Sequence, residues 1–456
     1  MTVRIAATIL LLAAAAAPAQ AQAQAQGPLH AALGAPGRLK LGGSVRTRYE
    51  VLQGQVRPGF NEEDDLFSVR SILSAEYDAG PVRIGAELYD SRAYGADEGT
   101  PIGTGEVNTF ELVQAYVAAD FDVGAGGRGT LQAGRFTLNL GSRRLVAADD
   151  YRNTTNGYTG IRGDISPSKS LSATIFYVLP QVRLPDDLPS ILDNGTAWDR
   201  EGFDLSLWGA FIKHGGLIPG VAVEPYYVGF NERDADGRPT RDRNLHNLGL
   251  RIVREPATSK ADFEAEAIYQ FGRTSTGLTE AAARTDVSAT FFHLEAGYSF
   301  AAAWKPRLSI EFDRASGDGP GEDYGRFDTL YGMRRADLAP AGLYAALGRT
   351  NISSPGIRLE AAPGGGTDVF AAYRLLWAAE ETDSFSTTGV RDPSGMSGSF
   401  AGHQLDARLR HWIFPQRLRA EANATWLLKR GLLQSAPSSL EARDTIYLSV
   451  ATTLTL

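Results

Sequence analysis

Apolar and polar side chains alternate along most of this chain with a period of two, the repeat of a strand with one greasy and one wet face. In 39–52, Leu39, Leu41, Val45, Tyr49 and Val51 oppose Lys40, Ser44, Arg46, Arg48 and Glu50. In 417–428, Leu418, Ala420, Ala422, Ala424 and Trp426 oppose Arg417, Arg419, Glu421, Asn423 and Thr425. The last segment, 444–456, sets Ile446, Leu448, Val450, Leu454 and Leu456 against Tyr447, Ser449, Ala451, Thr453 and Thr455. The same reading predicts strands at 67–77, 82–90, 110–121, 130–140, 158–166, 170–179, 203–212 and 221–230. Further strands are predicted at 246–254, 262–272, 287–300, 306–314, 350–362, 367–379 and 402–412.

Their spacing is as informative as their pattern. Short turns such as Pro363-Gly364-Gly365-Gly366 alternate strictly with long polar segments. About 18 amphipathic strands in that rhythm predict an all-β, antiparallel transmembrane barrel of the outer-membrane kind. Both termini then fall on the short-turn, periplasmic side. A row of aromatics near strand ends (Tyr77, Tyr89, Phe121, Trp208, Phe300, Trp304, Trp377, Trp412, Trp426) is expected to form the interfacial girdle. The closing strand needs a partner for its free edge, and pairing with 39–52 would supply one. A barrel of this width leaves an aqueous lumen unless loops plug it.

The N-terminus indicates the compartment. A basic start, an apolar run from Ile5 to Ala17 and small residues at Ala19-Gln20-Ala21 read as a signal peptide over 1–21, with cleavage as late as 25. A short periplasmic segment, 22–37, precedes the barrel at 38–456. The apolar run is too short for an ordinary membrane-spanning helix, and no later one approaches that length. The expected location is the Gram-negative outer membrane, with membrane lipid as the first partner. The chain has no cysteine, a net charge of -8, 43% hydrophobic residues and 50 glycines. The charge excludes nucleic acid as a natural partner, and the apolar content excludes a disordered chain.

The remaining chemistry lies on the faces opposite lipid. Arg46, Arg48, Arg70, Arg83, Arg307, Arg358, Arg374, Arg408, Arg410 and Arg419 all fall there. A charge at the lipid midplane costs about 2–4 kcal/mol, so these side chains must face the lumen or a rim. Guanidinium groups suit carboxylate and phosphate, and a lumen lined with them would focus anions. The alternative for each residue is bracing against a wall carboxylate such as Glu50, Glu76 or Glu421.

Gly134-Arg135-Phe136, Gly141, Arg143-Arg144-Leu145-Val146, Tyr151-Arg152-Asn153-Thr154 and Gly160-Ile161-Arg162 resemble, in order, the signature of the bacterial alginate-export outer-membrane barrels. Glu311-Phe312-Asp313-Arg314-Ala315-Ser316-Gly317-Asp318, Phe327-Asp328 and Leu330-Tyr331-Gly332 resemble that family's acidic-aromatic stretch and the loop after it. Ser142-Arg143 and Tyr151 depart from the usual Gln-containing pair and Trp. The resemblance implies an 18-stranded barrel with an arginine-rich conduit for an anionic uronate polymer. It points to Arg135, Arg144, Arg152 and Arg162, and less specifically to Arg46 and Arg70. It also implies periplasmic secretion partners for a barrel expected to act as a monomer.

Three other functions compete: a general or carboxylate-selective porin for small solutes, a membrane-embedded hydrolase, and a structural or adhesive barrel. A hydrolase needs a nucleophile and base, or paired acids. His30, His214, His246, His293, His403 and His411 sit in no serine-containing elbow. Asp149-Asp150 and Asp186-Asp187 offer paired acids or a cation site, against the commoner reading of hydrated loop acids, and the acidic loop Glu62–Asp65 lacks calcium-loop spacing. No catalytic residue, metal or cofactor is therefore expected.

Overall fold

The computed structural model describes residues 28–456 apart from 35, 125, 150, 280, 322, 334–336, 339, 341, 441 and 442. The expected signal peptide lies outside the described residues. Eighteen strands form one antiparallel sheet that closes on itself. They are β1 Leu39–Gln53, β2 Glu63–Asp78, β3 Val82–Tyr94, β4 Asn108–Val123, β5 Gly127–Phe136 and β6 Tyr158–Ser168. Next come β7 Leu171–Pro180, β8 Leu205–Ile218, β9 Val221–Glu232, β10 Asn244–Arg254, β11 Lys260–Ser275 and β12 Arg284–Ser299. The last six are β13 Arg307–Ala315, β14 Ile352–Gly364, β15 Thr367–Trp377, β16 Phe400–Phe414, β17 Leu418–Lys429 and β18 Thr445–Thr455.

Closure runs between β1 and β18, from Ser44 opposite Thr455 to Gln53 opposite Ile446. It leaves no strand edge, as a barrel in hydrocarbon requires. Faces follow the alternation: Leu448 and Val450 are 50% and 59% exposed, whereas Tyr447 and Ser449 are 0% and 2% exposed. Leu39 and Thr455 lie at the short-turn rim, beside the β2–β3 turn and opposite the long loops. At the β14–β15 turn, Gly364, Gly365 and Gly366 take φ of 102°, 60° and 76°, which glycine adopts freely.

The core lies inside the barrel. The β5–β6 loop, 137–157, and the β13–β14 loop, 316–351, carry buried apolar residues, among them Leu138, Leu145, Val146, Phe327, Leu343 and Leu347. These pack with inward wall residues such as Phe136, Tyr158, Phe230 and Phe291 in one cluster. Three short helices went unread in the sequence, α1 Pro28–Ala32, α2 Leu188–Leu192 and α3 Leu432–Ser435. Asp187 caps α2, accepting from the Ser190 amide at 3.0 Å, which explains half of the Asp186-Asp187 pair.

Two of the expected girdle aromatics are corrected. Register places Tyr89 and Trp412 on the inward face, where Arg70 lies 5.7 Å and Arg419 5.6 Å from their ring centroids. They support cations inside the lumen rather than anchoring the wall in lipid.

Candidate functional site

Register assembles a basic row across five neighbouring strands. Arg70 of β2 stands opposite Arg46 of β1. Thr453 of β18 stands opposite both Arg46 and Arg419 of β17. Trp412 of β16 stands opposite Arg419. The row thus reads Arg70, Arg46, Thr453, Arg419, Trp412 around the wall. It continues into β14–β16, where Arg408 and Arg410 share Asp368 at 3.2 and 2.9 Å. Arg358 and Arg408 both lie over the Phe370 ring, at 4.6 and 4.7 Å.

Like charges directly opposite repel, and the β5–β6 loop supplies the compensation on one side. Arg46 and Arg70 both donate to the Arg152 carbonyl, and Arg46 also reaches Asn153. Arg48 donates to the Tyr151 carbonyl and stacks 4.2 Å above the Tyr151 ring. Asn153 in turn donates to the carbonyls of Val69, Arg92 and Glu106 at 3.1, 3.1 and 2.8 Å. Arg419 differs from its neighbours. Among the described residues nothing accepts a hydrogen bond from it, and its guanidinium rests 5.6 Å from the Trp412 ring centroid.

The facing wall, β9–β13, is dominated by carboxylates. Arg251 joins Glu224 and Glu264 at 2.8 and 2.9 Å. Arg307 joins Asp262, Glu295 and Glu360. His293 meets Asp313 at 2.7 Å, and Arg374 of β15 reaches Glu311 and Asp313. The two infolded loops lock onto this wall. Val146 and Tyr331 form a parallel bridge, and Arg144 spans Asp337, Glu264 and Glu266. Arg349 adds a second guanidinium to Asp337 at 2.7 Å. Burial pushes the Asp337 carboxyl up, but Arg144 and Arg349 overcome it and hold the group well below the usual carboxylate range.

The six arginines singled out in the sequence therefore separate. Arg46, Arg70 and Arg152 come together, with Arg152 paired to Asp149 at 2.7 Å. Arg144 lies across the lumen on the acidic wall. Arg162 faces inward on β6 beside Asp164 at 2.7 Å. Arg135 shares the outward face of β5 with the exposed Leu131, since its partner Thr159 alternates with the buried Tyr158. It holds a rim position between Glu111 and Glu201, at 2.7 and 2.6 Å. Alternation alone had put Arg48, Arg408, Arg410 and Arg419 inward; register was needed to set Arg419 beside Arg46. Asp337 and Arg349, in an irregular loop, carried no signal. The acids of 62–65 are engaged locally: Glu63 with Arg443 at 2.6 Å, Asp65 with the Tyr49 hydroxyl at 3.0 Å.

Solved structures with the same fold include an outer-membrane protein and a porin of Pseudomonas. OpdQ of Pseudomonas aeruginosa aligns with a TM-score of 0.59 at 11% identity, over 92% of this chain and 97% of that one. OccAB1 of Acinetobacter baumannii aligns at 0.59 and 12%, over 91% and 96%. A BenF-like porin from Pseudomonas fluorescens Pf-5 aligns at 0.60 and 10%, over 92% and 98%. No curated protein matches the chain in sequence. Residues 37–429 match the alginate export family, and the chain belongs to it as an outer-membrane β-barrel channel.

Proposed function

We propose that this channel conducts anions along its basic wall, and that its cargo is an alginate-like or other acidic polysaccharide leaving the cell. The observation that carries the reading is Arg419. Among the described residues no wall oxygen accepts a hydrogen bond from its guanidinium, and a passing carboxylate would supply that acceptor at the outer nitrogens. Arg46, Arg48, Arg70, Arg408 and Arg410 surround it with positive charge. Arg152 feeds the row through its carbonyl and adds its own charge from the infolded loop. Arg135, Arg144 and Arg162 are assigned bracing roles, because each is held by carboxylates where it stands. No bond is made or broken, so transport follows a gradient or a partner that delivers the polymer from the periplasm. A monomeric barrel exported by a cleaved signal peptide fits this role.

A second reading, a porin for small carboxylates, is favoured by the two loops that fill the long-loop half of the lumen. Current block separates the two. In a planar bilayer, an oligouronate of about ten sugars should interrupt the anion current, while a neutral glucan of equal length should not. Equal block by both oligomers would refute an acidic-polymer conduit. Block by monomeric uronate alone would favour the small-solute porin.

A further inference from the structure

We propose that a second binding station for acidic sugars lies at the long-loop mouth, built around Arg241. It rests on the acidic-cargo reading above. A cavity of about 510 Å³ opens there between the wall strands β9–β12 and the loop 316–351. Three guanidinium groups line it, and two are already occupied. Arg243 is clamped by Glu232 at 2.6 Å and by Asp328, over the Phe230 ring. Arg326 is held by Asp383 at 2.6 Å and by the Ser384 carbonyl at 2.7 Å.

Arg241 is held without being neutralised. Its Nε donates to the Ser275 carbonyl at 2.9 Å, and its Nη1 donates to the Tyr324 hydroxyl at 3.3 Å. Its guanidinium lies 4.8 Å above the Tyr324 ring. Among the described residues no carboxylate comes within ion-pairing distance of it. Both supports are rigid. Ser275 donates its amide to the Arg241 carbonyl at 2.7 Å, and the Tyr324 backbone is tied to Asp286 and Ser288 of β12 at 2.8 and 3.1 Å. A cation fixed in this way loses little entropy when an anion arrives.

The rest of the lining suits a sugar. Thr240, Thr274, Thr350 and Thr387 border the same space with Pro239 and Leu278; the hydroxyls of Thr240, Thr274 and Thr387 already donate to Asp234 and to the carbonyls of Arg241 and Ala345, which leaves them as acceptors for sugar hydroxyls. A uronate offers a carboxylate for the planar guanidinium, hydroxyls for the threonines and a C–H face for the apolar edge. A neutral sugar would leave Arg241 unanswered, and a small inorganic anion would leave the hydroxyl and apolar surfaces empty.

The test titrates the full chain in detergent with a mannuronate trisaccharide, with maltotriose and with inorganic phosphate. Wild type should bind the uronate most tightly, and Arg241→Gln should weaken that binding about tenfold, the scale of one lost charged hydrogen-bonding partner. Arg241→Lys should recover part of it. Heat-resistant, folded migration of Arg241→Gln on cold gel electrophoresis and a wild-type β-sheet circular dichroism spectrum show that the variant is folded. Unchanged uronate affinity in a conducting Arg241→Gln channel would overturn this station and leave the anion conduit standing. Equal affinity for maltotriose or phosphate would overturn it too. A wild-type channel without anion preference would instead remove the reading on which the station rests.

Discussion

Arg46 and Arg70 face each other on adjacent strands, and what makes this tolerable is a single carbonyl, that of Arg152, which accepts from both. Individual charges in this lumen are decided by such local contacts. Two loop carboxyls show it through titration. Burial pushes Glu106 up to about 7, with the Glu50 charge adding and Arg152 opposing. Burial and then Glu111 push Asp199 up to about 7, against hydrogen bonds from Leu184 and Asn108. Folded pKa values above the ordinary carboxylate range mean that the docked loops hold more protons than the undocked ones. The docking they favour is complete below the ordinary carboxylate range and is lost as pH rises through about 7. Hydrogen exchange in 95–107 and 181–204, corrected for intrinsic rates, should be slower at pH 5 than at pH 8 (about three units across both titrations). Glu106→Gln should flatten the response in 95–107. An equal rate at both pH values would rule the assignment out. None of this was readable in the sequence, since burial of a loop acid depends on which loops fold inward.

At the scale of elements, the strands were legible and the infolded loops were not. Alternation of period two located all eighteen strands because each is bathed in lipid on one side, so every second residue within a strand answers to the same solvent. Boundaries moved where the chain leaves the wall: β5 ends at Phe136 rather than 140, because Leu138 and Leu140 turn into the lumen and are buried there. Tyr89 and Trp412 were misassigned because an aromatic near a strand end suits both an interface and a cation. The two segments that resemble the export family lie far apart in the chain, and the structure explains the pairing: Val146 of one bridges Tyr331 of the other inside the lumen. Asp337 is the clasp, buried between Arg144 and Arg349. Removing one partner of a buried pair costs about 3–5 kcal/mol. Asp337→Asn should therefore loosen 316–351 while the barrel persists. The checks are faster protease cleavage within that loop and a larger single-channel conductance. A variant as resistant and as narrow as wild type would show that the clasp does not hold the constriction.

On the scale of the whole molecule the lumen is polarised. Guanidinium groups gather on β1, β2 and β14–β17, and carboxylates gather on β9–β13, where most are matched by arginine or histidine. The net charge of -8 gave no hint of this, because it averages the acidic loops with the wall. What a solute meets is the local field, which is strongest where cations are least compensated. That place is the row through Arg419. The most direct measurement is the reversal potential of the purified channel in a planar bilayer under a salt gradient. Wild type should prefer chloride over potassium, and Arg419→Gln should shift the reversal potential toward zero. A cation preference in wild type, or a reversal potential that Arg419→Gln leaves unmoved, would contradict it.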